Sequence, residues 1–94
     1  MAAYLVGHIT KKDEELWQKY VAGVQESLAP FESKIIFRGQ LVKILVVENG
    51  HNLVVVIEFP NHFTLDAWYT SEKYQELIPL RDQAADVVIT TYIS

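Results

Sequence analysis

The chain has 94 residues and a net charge of −4 at pH 7, with 50% hydrophobic and 21% charged residues. This length predicts a single domain over residues 1–94, and this composition argues against an intrinsically disordered chain. The acidic balance argues against nucleic-acid binding, and the absence of cysteine excludes disulfides and thiolate metal sites.

No stretch of the sequence is long and apolar enough to cross a bilayer, and the amino end lacks the pattern of a signal peptide. We therefore expect no membrane partner and a cytoplasmic location.

The first third of the chain predicts a strand followed by a helix. Residues 2–10 show period-two patterning with β-branched and aromatic side chains, which favours a strand. Asp13 is placed to cap a helix, and Pro30 ends it. The buried stripe of this helix recurs at three-and-four spacing and consists of Trp17, Tyr20, Val21, Val24 and Leu28.

The middle of the chain predicts two further strands joined by a hairpin turn, the first of them interrupted at Gly39. Residues 34–38 and 41–48 have strand composition, and Gly39 between them predicts a bulge. Asn49 followed by Gly50 predicts a type I′ hairpin turn, in which both central residues have positive φ. Residues 52–59 predict the strand that follows.

The last third predicts short helices and a final strand. Asn61 is expected to cap a helix that buries Leu65, Trp68 and Tyr69, and Ser71 is expected to cap a short turn. Pro79 begins another helical piece through residue 85, and residues 86–93 predict a strand. The resulting order βαββαβ indicates an α+β, ferredoxin-like fold, a four-stranded antiparallel sheet with its helices on one face.

The predicted strands are apolar on both faces, although two helices cover only one face. In an antiparallel sheet with one face in water, polar residues normally occupy that face. Here Tyr4, Val6, Val54, Val56, Val88 and Tyr92 lie on the opposite row from Leu5, Ile9, Val55, Ile57, Val87 and Ile89. An exposed patch of that size is rare in monomers, so we predict a homodimer that pairs through this sheet face.

Several segments resemble one protein family over nearly the whole chain. They include Phe37-Arg38-Gly39, a Val-Ile-Glu-Phe-Pro run ending at Pro60, and a segment containing Tyr69, Ser71, Tyr74, Pro79 and Arg81. Together they resemble the uncharacterised family named domain of unknown function 1330. The resemblance implies a dimeric α/β barrel but no specific activity.

The wider superfamily that this resemblance implies includes cofactor-independent monooxygenases, muconolactone-type isomerases and haem-binding members. The chain lacks a histidine in the context of a haem ligand, so no cofactor is expected. His62 and Asp66 share a helical face and His51 lies in a turn, which is too few ligands for a metal site.

Two residues are candidates for catalytic roles. The imidazole of His8 either acts as a general acid or base or donates to a backbone carbonyl or to the partner subunit. Arg38, beside the predicted bend, either holds a carboxylate or enolate oxygen or forms an ion pair with Glu58 or the other chain.

Three residues near the second helix are candidates for ligand binding, namely Tyr69, Tyr74 and Arg81. The tyrosines would stack on or hydrogen-bond a planar ligand, or they belong to the core with satisfied hydroxyls. Arg81 would neutralise an acidic group. Trp17 and Trp68 are predicted to be core residues.

Three functional hypotheses follow. The first is a homodimer that binds a small molecule in a pocket between sheet and helices. The second is a cofactor-independent monooxygenase or isomerase that acts on small phenolic or carboxylate substrates. The third is a purely structural dimer.

Overall fold

The computed structural model describes residues 1–94 and contains a four-stranded sheet and four helices. The elements in chain order are β1 (Ala3–Lys11), α1 (Glu14–Leu28), β2 (Lys34–Gln40), β3 (Leu53–Phe59), α2 (His62–Tyr69), α3 (Glu72–Gln75), α4 (Ile78–Ala84) and β4 (Ala85–Ile93). The strands lie in the order β2-β3-β1-β4, and every neighbouring pair is antiparallel. The predicted ferredoxin-like α+β fold is therefore confirmed. No helix has the length and apolar character needed to span a membrane.

Side-chain caps begin the helices where the sequence predicts them. The Asp13 carboxylate accepts from the Leu16 N–H at 3.0 Å, and the Asn61 side chain accepts from the Thr64 N–H at 2.8 Å. The Ser71 hydroxyl accepts from the Tyr74 N–H at 3.3 Å. Each bond satisfies a backbone donor that the first helical turn leaves without a partner.

The core lies between the helices and one face of the sheet, called here the inner face. Trp68 is almost fully buried in it, and its indole N–H donates to the Ser27 hydroxyl at 2.9 Å. Ser27 in turn donates to the Val24 carbonyl, so both of these polar groups are satisfied. This chain of bonds joins helix α2 to helix α1.

The opposite face of the sheet, called here the outer face, is covered by no helix. The strand register places these residues on it: Tyr4, Val6, His8, Phe37, Val54, Val56, Val88 and Tyr92. Their side chains are half-buried or exposed in the single chain. The predicted apolar character of both sheet faces is therefore present in the structure.

The prediction of a strand over residues 41–48 and a hairpin turn at Asn49 and Gly50 is wrong. Strand β2 ends at Gln40, and β3 begins at Leu53, which is already paired with Gln40. Only Gly50 has positive φ, at 82°, so the turn is not type I′. Local β-propensity cannot indicate whether a neighbouring strand is present to pair with, and here none is.

The bulge in β2 lies at Ile36 and not at Gly39. Ile35 pairs with Ile57 and Phe37 pairs with Val56, so Ile36 is the extra residue, while Gly39 pairs in register. Because side chains alternate along a strand, one extra residue reverses the faces that follow it. The bulge therefore turns Phe37 to the outer face and Arg38 to the inner face.

Candidate functional site

A cavity lies between helix α1 and the inner face of the sheet. Its volume is about 260 Å³, and 15 of its 20 lining residues are hydrophobic. Leu5, Gly7 and Val55 line it from the strands, and Trp17 and Val24 line it from the helix. A concave, mostly apolar space with few polar groups is the usual form of a small-molecule site.

Gly7 contributes space to this cavity because it has no side chain in the middle of the inner face. A Cβ at Gly7 would lie 3.1 Å from Cγ1 of Val55, and a larger side chain would project towards helix α1. The helix residues opposite, Trp17, Val21 and Val24, stay half-buried although they form the stripe that faces the sheet. The cavity lies between these helix residues and Gly7.

The polar residues of the cavity lining include two cations and no anion. Lys11, Gln25 and Arg38 line the cavity and are exposed, so they mark its open side. Lys11 is paired with Glu14 at 3.0 Å, whereas Arg38 has neither a hydrogen bond nor a salt bridge to another side chain. Arg38 is therefore the free positive charge at the cavity entrance.

Two tyrosines and a tryptophan close the buried end of the cavity. The hydroxyls of Tyr20 and Tyr74 are 2.9 Å apart and share a hydrogen bond, and the Tyr74 ring lies 4.5 Å from the Trp68 ring between centroids. Arg81 Nη1 donates to the Tyr74 hydroxyl at 3.1 Å, and Arg81 Nε donates to Asp82 at 3.2 Å. The Tyr74 hydroxyl thus contacts both the Tyr20 hydroxyl and the guanidinium of Arg81.

The environment of this cluster raises the pKa of two groups. Burial, followed by the neighbouring Tyr74, raises the pKa of Tyr20 above its ordinary value of 10.0. Burial acts to lower the pKa of Arg81, but the Tyr69 and Tyr74 hydroxyls outweigh it and the pKa is raised. Tyr20 therefore remains a neutral phenol and Arg81 a cation at neutral pH.

The structure brings together some of the predicted site residues and separates others. Arg38 and Tyr74 line the same cavity, whereas Tyr69 and Arg81 lie outside the lining and contact Tyr74 from behind. His8 lies on the outer face, where its Nδ1 is 3.3 Å from Asn49 Nδ2. Within one chain, His8 and Arg38 do not share a site.

The predicted alternative of an ion pair between Arg38 and Glu58 is not formed within the chain. Glu58 pairs with Tyr4 and Lys34 in the register, which places it on the outer face, whereas Arg38 pairs with Val55 on the inner face. The bulge at Ile36 creates this separation.

Sequence reasoning did not identify Lys11, Gln25, Trp17 and Tyr20 as cavity residues. Periodicity places Trp17 and Tyr20 in the buried stripe of helix α1, and that stripe does face the sheet. Periodicity shows which way a side chain points but not whether anything fills the space in front of it. Trp68, by contrast, is confirmed as a core residue, with 2% exposure.

Comparison of the sequence with known proteins identifies one family. The model of the family described as Domain of unknown function (DUF1330) matches residues 2–92. No curated protein matches the chain.

Solved structures with the same fold are similar over nearly the whole chain. A protein of unknown function from Rhodopseudomonas palustris has a TM-score of 0.82 at 13% identity, with 97% of this chain and 80% of that chain covered. A dimeric ferredoxin-like protein of unknown function from Jannaschia has a TM-score of 0.69 at 11% identity, with 100% of both chains covered.

The cofactor-independent oxygenase SnoaB from Streptomyces nogalater has a TM-score of 0.68 at 9% identity, covering 99% of this chain and 92% of that chain. At such low identities these likenesses establish the fold alone.

Proposed function

This chain belongs to the DUF1330 family, and on that premise we propose that it is a single-domain homodimer that binds a small, mostly apolar acid. One observation carries the proposal, which is the unpaired Arg38 at the open side of an apolar cavity. A guanidinium binds a carboxylate in a bidentate manner, and the apolar lining favours a ligand with a hydrophobic body.

The two ends of the cavity support different parts of such a ligand. At the entrance, Arg38 would bind the anionic group while remaining partly hydrated. At the buried end, the rings of Tyr20, Trp68 and Tyr74 offer flat surfaces for an aromatic or alicyclic body, and the Tyr20–Tyr74 pair offers a hydroxyl to a polar substituent.

The homodimer is supported by the outer face. Val6, Val54 and Val56 are half-buried on it, and Phe37 and Val88 are exposed, with no helix to cover any of them. The same face of a second copy would bury these side chains, because a two-fold axis brings identical patches together. The related protein from Jannaschia is described as dimeric, which agrees with this arrangement.

The alternative of a cofactor-independent monooxygenase or isomerase has less support than binding. None of the residues lining the cavity is His, Asp or Glu, so the cavity lacks the common general bases. His8, the candidate for proton transfer, lies on the outer face.

We place the protein in the cytoplasm, with no nucleic-acid or membrane partner.

The ligand proposal is tested by titrating the protein with 2-naphthoate and with its neutral isostere 2-naphthamide, followed by fluorescence. We expect Arg38→Gln to weaken naphthoate binding about tenfold, because one charge-assisted contact is lost at a partly hydrated site. Binding of the amide should not change. Val24→Phe, which fills the cavity, should abolish the binding of both compounds.

Lys34→Gln is the matched control, because it removes one positive charge from the same strand outside the cavity. It should leave both affinities unchanged. Equal losses for Lys34→Gln and Arg38→Gln would show only a general charge effect and would contradict the assignment, as would the absence of binding of either compound.

A further inference from the structure

We infer that residues 41–48, called here the arm, form a contact surface for a second copy of this chain. This inference rests on the proposed homodimer and adds to it an element outside the sheet. The arm follows strand β2 and includes six apolar residues, which are Leu41, Val42, Ile44, Leu45, Val46 and Val47.

The arm is apolar where loops are ordinarily polar. Val42 is 96% exposed, Val46 is 89% exposed and Leu45 is 84% exposed. Apolar residues that are exposed one at a time are normal, but a contiguous group of this size marks an interaction surface. No other segment of this chain covers it.

The backbone of the arm also lacks partners. The Leu41 N–H donates to the Asn52 carbonyl at 2.7 Å, but the backbone groups of residues 42–48 form no hydrogen bond within the chain. Unpaired backbone groups next to β-branched side chains are the features that pair with another chain by strand addition. The strand-like composition of residues 41–48 therefore agrees with a strand that forms only when the arm pairs with a second copy.

Residues 49–51, which directly follow the arm, are attached to the outer face. The Thr10 hydroxyl donates to the Gly50 carbonyl at 3.1 Å and lies 2.9 Å from His51 Nδ1, while Asn49 contacts His8. Thr10 and His8 both belong to the outer-face row of β1. The arm is therefore on the side of the sheet where the second copy is proposed to pack.

The size of the outer face also favours the second copy as the occupant. Four strands about 4.8 Å apart and about seven residues long cover a flat footprint of roughly 440 Å². A stable interface buries roughly 800 Å² of accessible surface on each partner. The arms of both copies would add apolar surface to that of the two sheet faces.

Charge does not favour a lipid surface. The arm contains one lysine and one glutamate, Lys43 and Glu48, and the whole chain has a net charge of −4. Binding to an anionic membrane relies on an excess of basic residues. A second copy needs no such excess, and two-fold symmetry places one arm on each partner.

The test is sedimentation equilibrium of a double variant, Leu45→Ser with Val46→Ser. Both side chains are exposed in the single chain, so the variant should fold, and circular dichroism checks this. We expect the dimer dissociation constant to rise at least tenfold, because two apolar contacts are lost. Phe63→Ser is the matched control, since Phe63 is 74% exposed on helix α2, away from the arm, and should have no effect.

Hydrogen exchange of residues 42–48 gives a second measurement. We expect rapid exchange in dilute protein and slower exchange above the dissociation constant, as the arm becomes paired. A double variant that dimerises as tightly as the unchanged chain would overturn the arm and leave the homodimer intact. A chain that stays monomeric would overturn both, and binding to phosphatidylglycerol vesicles without dimerisation would assign the arm to a lipid surface instead.

Discussion

Tyr20 and Tyr74 show how individual residues define the buried end of the cavity. Their shared hydrogen bond satisfies two hydroxyls inside an apolar core, and Arg81 adds a second bond to Tyr74. A buried hydroxyl without a partner is unfavourable, so each of these groups depends on the others. The cluster holds the aromatic rings in place against Trp68.

Tyr20 should make stability depend on pH in the alkaline range. Because its pKa is raised in the folded chain, both states keep the phenol proton below about pH 10, where stability is full. Above that pH the unfolded chain loses the proton first, so the free energy of unfolding falls, by at most about 1.4 kcal/mol per pH unit. This decline continues until the folded pKa is reached.

The measurement is the urea midpoint from about pH 8 to about pH 11 for the unchanged chain and for Tyr20→Phe. The variant should be less stable at about pH 8 by roughly 1 kcal/mol, because the hydrogen bond between the Tyr20 and Tyr74 hydroxyls is lost. It should also lose less stability as the pH rises. Parallel curves would show that Tyr20 does not control the alkaline decline.

At the scale of elements, one extra residue decides which side chains reach the cavity. The bulge at Ile36 reverses the alternation of β2, so that Ile35 and Arg38 both line the cavity although they are three residues apart. Without it, Arg38 would point to the outer face with Phe37 in its place. The candidate site therefore depends on a local irregularity of the strand.

The cap of helix α2 should contribute measurably to stability. The Asn61 side chain accepts from the Thr64 N–H and from the Thr64 hydroxyl, at 2.8 and 3.0 Å. Asn61→Ala should lower the free energy of unfolding by about 1 kcal/mol, measured by urea denaturation. Asn61→Asp keeps an acceptor at the cap and should be close to the unchanged chain. Equal losses in both variants would mean that the cap bond is not the source of the effect.

For the whole molecule, the central proposal is that two outer faces pack together. The helices complete one hydrophobic core inside each chain, and the outer faces would complete a second core between chains. Stability should then depend on protein concentration, because unfolding and dissociation become linked.

Val88→Lys tests the sheet-face dimer. Val88 is 48% exposed on β4 opposite His8, so a lysine there is tolerated in a single chain but would be an unpaired charge in a packed interface. Sedimentation at micromolar concentration should show twice the 10.8 kDa of one chain, and Val88→Lys should weaken the dimer at least about 100-fold.

Ala22→Lys provides the control, since it adds the same charge to an exposed position of helix α1. It should remain dimeric. If Val88→Lys and Ala22→Lys both dimerise like the unchanged chain, the interface does not include the outer face.

The sequence by itself determined the order of the elements, the helix caps at Asp13, Asn61 and Ser71, and the apolar character of both sheet faces. These features depend on residues within a few positions of each other, through capping bonds and hydrophobic periodicity, so local patterns are sufficient. Arg38 and Tyr74 were also identified from the sequence as site candidates, and both line the cavity.

Only the tertiary structure decided the position of the bulge, the face of Arg38, the cavity beside Gly7 and the lack of pairing in the arm. Each of these depends on which residues, distant in the sequence, lie opposite each other in the fold. Gln40, for example, pairs with Leu53, and residues 41–48 are left without a partner strand. The composition of a segment indicates that it favours a strand, but the whole fold decides the register and whether a neighbouring strand is present.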